Sequence, residues 1–336
     1  MKKNRIAVII FSLFLIFISI FIVQYNNAIK KPFILSQDTL VINVESGDGV
    51  NDVLNKLNDQ KLVRNELLLK INMILNRRKV NLKEGMYEID KNTDFKSFLN
   101  TLESGDNKDI LKLTIPEGYT VNQIAELVEK EGIFTKDDFI SAVKNHSIPE
   151  FVKQDSEKRY NLEGYLYPDT YIFKKSITPD QLIDLMLKRF SDILTEIENE
   201  TGLNISSEDY EKTIIVASMI EKEAKVDKDR AFISSVIYNR LEKNMKLQID
   251  ATVIYGIGYH VDTVLNSHLR STSPYNTYKY DGLPEGPIAN PGKKSIIAAL
   301  KPENTDYLYY ILDKDDAHYF TASYDDFLNK KKELGY

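Results

Sequence analysis

The first apolar stretch of the chain has no period at all. Ile6 to Val23 is a run of 18 residues made almost wholly of Ile, Phe, Leu and Val, enough to cross a bilayer core as a helix. Lys2, Lys3 and Arg5 stand immediately before it, which keeps the short end in the cytoplasm and sends the rest across. The run ends in Gln24-Tyr25-Asn26-Asn27, with no small-x-small cleavage pattern, so an uncleaved anchor is expected over 6–24 after a cytoplasmic tail at 1–5. Residues 25–37 read as a tether.

Beyond it the pattern becomes amphipathic and repeats. Val44-Glu-Ser-Gly47-Asp-Gly-Val50-Asn51-Asp-Val53 aligns with Ile115-Pro-Glu-Gly118-Tyr-Thr-Val121-Asn122-Gln-Ile124, and in the same register Leu62-Val63 falls on Ile133-Phe134 and Leu68 on Phe139. Each copy predicts a strand, a glycine turn, two helices and a second strand, opened by Glu84-Gly85 in one copy and by Glu163-Gly164 in the other. A helix follows in each, Phe95 to Leu102 and Pro179 to Phe190. The expected modules are 38–107 and 108–205.

The last third, 206–336, reads differently. Helices are predicted from Tyr210 to Lys225 and from Asp227 to Lys243, the second capped by Asp227. A long stretch punctuated by glycine and proline follows, from Tyr255-Gly256-Ile-Gly258 through Ser273-Pro274 to Pro291-Gly292. Its turn formers exclude regular structure, so its aromatics are presented from loops. A helix over Ser295 to Leu300, a hairpin over Tyr307 to Ser323 and a charged helix close the chain. The fold class is α+β.

Composition narrows the chemistry. The net charge is -6 over 336 residues, which argues against a nucleic-acid partner. The chain has no cysteine, which excludes thiolate zinc, disulfides and cysteine nucleophiles. Its four histidines are scattered without metal-ligand spacing. There is no Gly-x-Ser-x-Gly elbow, phosphate loop or dinucleotide fingerprint, so neither metal nor cofactor is expected.

What remains is carboxylate chemistry. On a helix, Val216, Met219 and Ile220 lie seven, four and three positions before Glu223 and form one apolar stripe with it. A carboxyl held against such a stripe resists ionisation and stays a proton donor near neutral pH, as glycosidic-bond cleavage requires. Glu221 is the second-choice acid, behind a smaller and more polar stripe of Ile214, Ala217 and Ser218. Gln248 and Asp250 straddle Ile249 and share one direction in an extended chain; Asp250 could equally cap a helix starting near Ala251. Tyr275, Asn276, Thr277 and Tyr278 form a loop suited to sugar rings, whereas Tyr309 and Tyr310 of the hairpin read as core aromatics.

These motifs, in order, closely resemble the YceG-like endolytic murein transglycosylases. The likeness is carried by Leu162-Glu163-Gly164-Tyr-Leu-Tyr-Pro168-Asp169-Thr170-Tyr171, Ala217-Ser218-Met-Ile-Glu221-Lys222-Glu223 and Val236-Ile-Tyr-Asn239-Arg240-Leu241. It continues through Leu247-Gln248-Ile-Asp250, Tyr275-Asn276-Thr277-Tyr278, Gly282-Leu283-Pro284 and Pro287-Ile288-Ala289-Asn290-Pro291-Gly292. Ile249 departs from it, standing where a small or polar residue is common. The resemblance implies LysM-like small modules and a C-terminal α+β catalytic domain with lysozyme-like logic. It also implies a single-pass protein of a bacterial cell membrane, with peptidoglycan strands as substrate and the cell-wall synthesis machinery as partner. The catalytic acid/base of the family falls on Glu223. Two competing readings are a non-catalytic tethered peptidoglycan-binding scaffold and a small-molecule lyase of folate metabolism; translocation and the lack of a cofactor lysine motif oppose the latter.

Overall fold

The structure is a computed structural model that describes residues 2–35, 38–105, 110–206, 209–261, 263–313 and 316–335, with side chains from residue 11 on. The chain divides into two compact units, Met1–Lys112 with Ile172–Ser176, and Leu113–Tyr171 with Ile177–Tyr336. The stretches expected to be a second module and a last domain therefore fall largely within one unit.

The first unit opens with α1 (Lys2–Lys30). Within it Phe11–Lys30 is long and apolar enough to cross a membrane. Its helical form persists past Val23, and the stretch read as a tether is packed as far as Leu35. Ala28 and Phe33 are buried in the core of the unit, with Tyr25, Ile29 and Leu35 against it. Apolar side chains in that stretch give it something to bury; Ser36 and Gln37 lie outside the described residues.

The rest of the unit runs β1 (Thr39–Val44), α2 (Val50–Asp59), α3 (Glu66–Leu75), β2 (Gly85–Asp90) and α4 (Phe95–Ser104). Strands β1 and β2 pair antiparallel, Thr39 opposite Asp90 and Val44 opposite Gly85. One face of each helix closes on them: Val50, Val53, Leu54 and Leu57 from α2, and Phe95, Phe98, Leu99 and Leu102 from α4. Both helices show the 3.6-residue spacing that buries a single stripe.

The same order then recurs as β3 (Ile110–Thr114), α5 (Val121–Lys130), α6 (Lys136–Asn145), β4 (Thr170–Lys174) and α7 (Pro179–Thr201). The buried set of α5, Val121, Ile124, Ala125 and Val128, repeats that of α2 position for position. Gly47 and Gly118 both have positive φ, 92° and 74°, so each copy turns into its helix through a conformation that favours glycine. Two expectations shift. The second strand begins at Thr170, because residues 161–166 form turns whose Tyr165 and Leu166 are fully buried. Helix α7 runs on to Thr201, because Ile193 and Ile197 continue its buried stripe.

The second unit is built around α8 (Tyr210–Glu223), in which every residue from Thr213 to Ile220 is buried. A helix apolar on all sides must be covered on all sides. It is enclosed by α9 (Arg230–Glu242), α10 (Asp250–Ile257) and α12 (Lys293–Leu300), with the short α11 (Asn266–Leu269) between the last two. Asp227 does not cap α9. It begins a single 3-10 turn, Asp227–Asp229, and its carboxylate meets Arg230 and Lys294 instead. The loop reading also fails at Tyr255-Gly256-Ile257, which completes α10; Gly258 ends that helix with φ of 85°. A hairpin of β5 (Tyr309–Leu312) and β6 (His318–Thr321) and a final α13 (Tyr324–Leu334) complete the chain.

Phe98 is fully buried and meets Phe33 edge-on, with ring centroids 5.2 Å apart. Phe98→Ala is expected to destabilise the first unit by about 3–5 kcal/mol. Hydrogen exchange checks this: amides of β1, β2 and α4 lose protection while those of α8 keep theirs.

Candidate active site

Glu223 is the last residue of α8, with Ala224 as its C-cap. Its carboxyl sits where the helix dipole is negative, an unfavourable place for an anion. The residues beneath it, Val216, Met219 and Ile220, are fully buried, while Glu223 itself stays partly open to solvent. Burial pushes its pKa up to about 7; the nearby Asp250 carboxylate adds to the rise, while Tyr310 and Lys225 oppose it. Tyr310 Oη donates to Glu223 Oε2 at 3.0 Å.

Glu221, two residues earlier, has different company. Its Oε2 accepts from Gly292 N at 3.0 Å and from Ser295 Oγ at 2.8 Å, and Arg230 Nη1 lies 3.4 Å from Oε1. It thus secures the N-terminus of α12 and is 7% exposed. The stripes behind the two acids are equally buried. Their tertiary partners separate them.

The hairpin that brings Tyr310 is held from two sides. Arg240 Nε donates to Leu308 O at 2.6 Å, just before β5, and Asn239 Nδ2 to Thr305 O and Tyr307 O, each at 2.9 Å. At the start of β6, Asp229 Oδ2 accepts from His318 N at 2.6 Å and lies 2.9 Å from His318 Nδ1. Since His318 pairs with Leu312, two positions beyond Tyr310, this buried carboxylate helps fix the height of the phenol over Glu223.

Of the six residues expected to bind substrate, three are buried, two bond to each other and Gln248 stands apart. Tyr275, Asn276 and Thr277 are buried. Tyr275 packs edge-on against Tyr255 at 4.7 Å, and Asn276 Nδ2 donates to Leu269 O and Ser271 O at 2.9 and 2.8 Å. Thr277 Oγ1 lies 2.9 Å from Thr252 Oγ1 and accepts from Ile249 N at 3.1 Å. These three hold the loop in shape. Tyr278 is half-buried and Asp250 exposed, and they join each other, Tyr278 Oη donating to Asp250 Oδ1 at 2.5 Å. Asp250 is therefore in the first turn of α10 without a capping bond, its charge beside Glu223.

Gln248 is exposed and left-handed, with φ of 54°. The extended geometry that gives Gln248 and Asp250 one direction is absent, because the chain kinks at Gln248. That conformation costs a non-glycine residue of order 1–3 kcal/mol, held here by the Gln248 N to Thr277 O bond at 3.2 Å. Among the described residues its side-chain amide has no partner.

A buried acid network lies elsewhere in the unit. Glu163 is fully buried and accepts from Val121 N at 3.0 Å, Tyr255 Oη at 2.9 Å and Asn290 Nδ2 at 3.2 Å; burial pushes its pKa up to about 8. Asn290 also accepts from Leu166 N at 2.9 Å. The turn at 161–166, the start of α5, helix α10 and the segment before α12 are thereby fastened together. The sequence by itself points to no site role for Tyr310, Arg240, Glu163 or Asn290. The last three do stand inside the quoted motifs, a signal that was present; Tyr310 has no comparable signal.

Two outcomes follow for stability. The native pKa of Glu223, about 7, lies above its ordinary 4.5, so the folded chain holds that proton more tightly. The associated stability is complete below about pH 4.5 and lost as the pH rises through about 7. Glu223→Gln is thus expected to be more stable than wild type by on the order of 2 kcal/mol near pH 9, the advantage vanishing near pH 4; paired urea titrations measure it. Gln248→Gly relieves the left-handed strain and is expected to raise stability by about 1 kcal/mol, read as a higher urea midpoint at unchanged slope.

The sequence matches the model of the YceG-like family over residues 42–333. An endolytic murein transglycosylase of Bacillus subtilis (strain 168) is 34% identical over 322 residues, which take in 92% of this chain and 88% of that protein. One from Streptococcus pneumoniae serotype 2 is 29% identical over 324 residues, 86% of this chain and 57% of the streptococcal protein. The crystal structure of a YceG-like protein from Listeria monocytogenes superposes with a TM-score of 0.59 at 33% identity, covering 88% of this chain and 100% of that one. The chain belongs to the YceG-like family.

Proposed function

We propose that this chain is an endolytic murein transglycosylase, anchored in a bacterial cell membrane by α1, with Glu223 as its single acid/base. The names carried by its relatives support the reaction class. The observation that supports the residue is the environment of Glu223: a partly open carboxyl with its pKa raised to about 7, at the end of a buried helix, beside Asp250 and under Tyr310. The first unit, a strand–helix–helix–strand module with paired strands, is read as LysM-like and glycan-holding.

The chemistry follows from that environment. Tyr310 occupies Oε2 of Glu223, so the acidic proton rides on Oε1, the oxygen left to face substrate. Protonated Glu223 gives it to the oxygen linking N-acetylmuramic acid to N-acetylglucosamine, and the bond breaks through an oxocarbenium-like state. Asp250 supplies negative charge near the developing cation, and the Tyr310 hydrogen bond strengthens as Glu223 becomes anionic. The 6-hydroxyl of the muramic acid then attacks its own anomeric carbon, and Glu223 takes the hydroxyl proton back. The products are a new N-acetylglucosamine end and a 1,6-anhydro end, with no water consumed. Because the nucleophile is already attached to the substrate, a second enzymic nucleophile is dispensable. Gln248 and Tyr278 are the side chains available for gripping sugar.

Glu223→Gln is expected to fold and to lower the release of anhydro-ended fragments from purified glycan strands by about 10²–10⁴-fold, read by mass spectrometry of the digest. Retention of wild-type turnover in that variant overturns the assignment and moves it to Glu221. Glycan retention without any cleavage by the wild-type chain makes it a scaffold. Tyr310→Phe removes a bond that favours the ionised form of Glu223. Its basic limb in kcat/KM is therefore expected to move to higher pH, while the maximal rate falls.

A further inference from the structure

Helix α3 carries an unusual surface. Leu67, Ile74 and Leu75 are 67%, 74% and 68% exposed, and with Ile71 they recur at the spacing of one helix face. The adjoining side of α3 is ordinary core, with Leu68 and Leu69 buried. Three open aliphatic side chains on a ten-residue helix call for a covering partner.

The way α3 is fixed to α1, within the same unit, identifies that partner. At one end Arg64 Nε donates to Lys31 O at 3.1 Å and Arg64 N to Pro32 O at 2.7 Å. At the other, Asn72 Nδ2 donates to Tyr25 Oη at 2.7 Å. From Lys31 back to Tyr25 the chain descends α1 by about 9 Å, and from Asn65 to Asn72 it advances along α3 by about 10.5 Å. The two helices therefore run antiparallel, and Ile74 and Leu75 reach the level of Ile22 and Val23. That is where the unbroken apolar run of α1 ends, and so where a hydrocarbon core spanned by that run must end.

The chain that follows is basic. Arg77-Arg78-Lys79 follows α3 after its C-cap Asn76, turned by a left-handed Arg77 with φ of 47°. Arg78 is tied to Asn100 and Glu103 at 2.6 and 2.8 Å. Arg77 and Lys79 are exposed, and among the described residues their side chains have no partner. Aliphatic side chains at the edge of the hydrocarbon, followed at once by unpaired cations, match the order of tails and phosphates in a bilayer leaflet.

We propose that the C-terminal end of α3 docks into the outer leaflet beside α1. Ile74 and Leu75 enter the boundary of the acyl region, and Arg77 and Lys79 bind anionic phospholipid headgroups. The inference rests on the reading of α1 as a membrane anchor. It makes the first unit a rigid stand on the membrane surface rather than a module on a flexible leash.

The absence of cysteine from the chain allows single-site labelling for the test. The full chain is reconstituted into phosphatidylcholine vesicles, with and without phosphatidylglycerol, carrying a polarity-sensitive fluorophore at Ile74→Cys, Phe17→Cys or Asp59→Cys. A quencher is attached to the lipid tails. The Phe17 label reports on the anchor, and the Asp59 label marks the end of α2, away from the proposed contact. The expected result is loss of most of the emission at positions 17 and 74, more at 74 when phosphatidylglycerol is present, and little loss at 59. Arg77→Glu with Lys79→Glu is expected to reverse the phosphatidylglycerol effect at position 74. Quenching at 17 but not at 74 overturns the docking while the anchor stands, and no quenching at 17 overturns the anchor itself. Equal loss at 59 and 74 overturns the assignment to α3. A phosphatidylglycerol effect untouched by the double charge reversal overturns the headgroup assignment.

Discussion

A carboxyl at the C-terminal end of a buried helix has little to stabilise its charge. The nearest backbone groups are carbonyls, the dipole is adverse, and the apolar interior cannot solvate an ion. Glu223 of α8 meets this constraint, and the surrounding elements answer it sparingly. Tyr310 gives one hydrogen bond, and Asp250 adds repulsion rather than relief. Glu221 on the same helix receives a guanidinium, a hydroxyl and a backbone N–H. Supplied with those partners, it binds α12 in place. One helix thus carries two carboxyls in different surroundings, and the difference is set by what the rest of the chain presents to each.

Much of the second unit can be understood as the apparatus that makes this presentation. Arg240 is the common brace: one edge of its guanidinium reaches Leu308 O ahead of the hairpin, and the other reaches Leu247 O at 2.7 Å, just before the kink at Gln248. The height of Tyr310 and the position of Gln248 are therefore set by the same side chain. The buried Thr277 and Thr252 pair fixes the far side of the kink. A strained residue persists where its surroundings overdetermine it, and Gln248 is bounded in this way on both sides.

The sequence made helices with one buried stripe legible, together with their recurrence. The set Val50, Val53, Leu54, Leu57 predicts the set Val121, Ile124, Ala125, Val128, and the two glycine turns take the same left-handed form. Along α8 the apolar stripe behind Glu223 was legible, but not the burial of the whole turn-by-turn surface from Thr213 to Ile220, which includes the polar Thr213 and Ser218. Contrasts that depend on partners far along the chain were not. Stripe arguments compare Glu223 with Glu221 through neighbours three to seven residues away, whereas the structure distinguishes them through residues 71 and 74 positions beyond Glu221 and 87 beyond Glu223. Tyr309 and Tyr310 are the same residue in the same strand, and alternation alone says they point oppositely without saying which meets α8. The left-handed Gln248 carries no signal either, since glutamine has no preference for positive φ.

The pairing of Asp250 with Tyr278 bears on why one acid suffices in the proposed reaction. A second carboxylate close to the acid could itself attack the sugar and form a covalent intermediate, the route of retaining hydrolases. Here the phenol of Tyr278 donates directly to Asp250 Oδ1. A carboxylate committed to a short hydrogen bond is a weaker nucleophile, yet its charge still reaches an adjacent cation. Asp250 is thereby suited to stabilise an oxocarbenium ion without capturing it. Under the proposed mechanism the bond is left to the hydroxyl that the substrate brings with it, and the same Asp250 charge raises the affinity of Glu223 for its proton. The two effects share one cause, the placing of Asp250 in the first turn of α10 beside the end of α8.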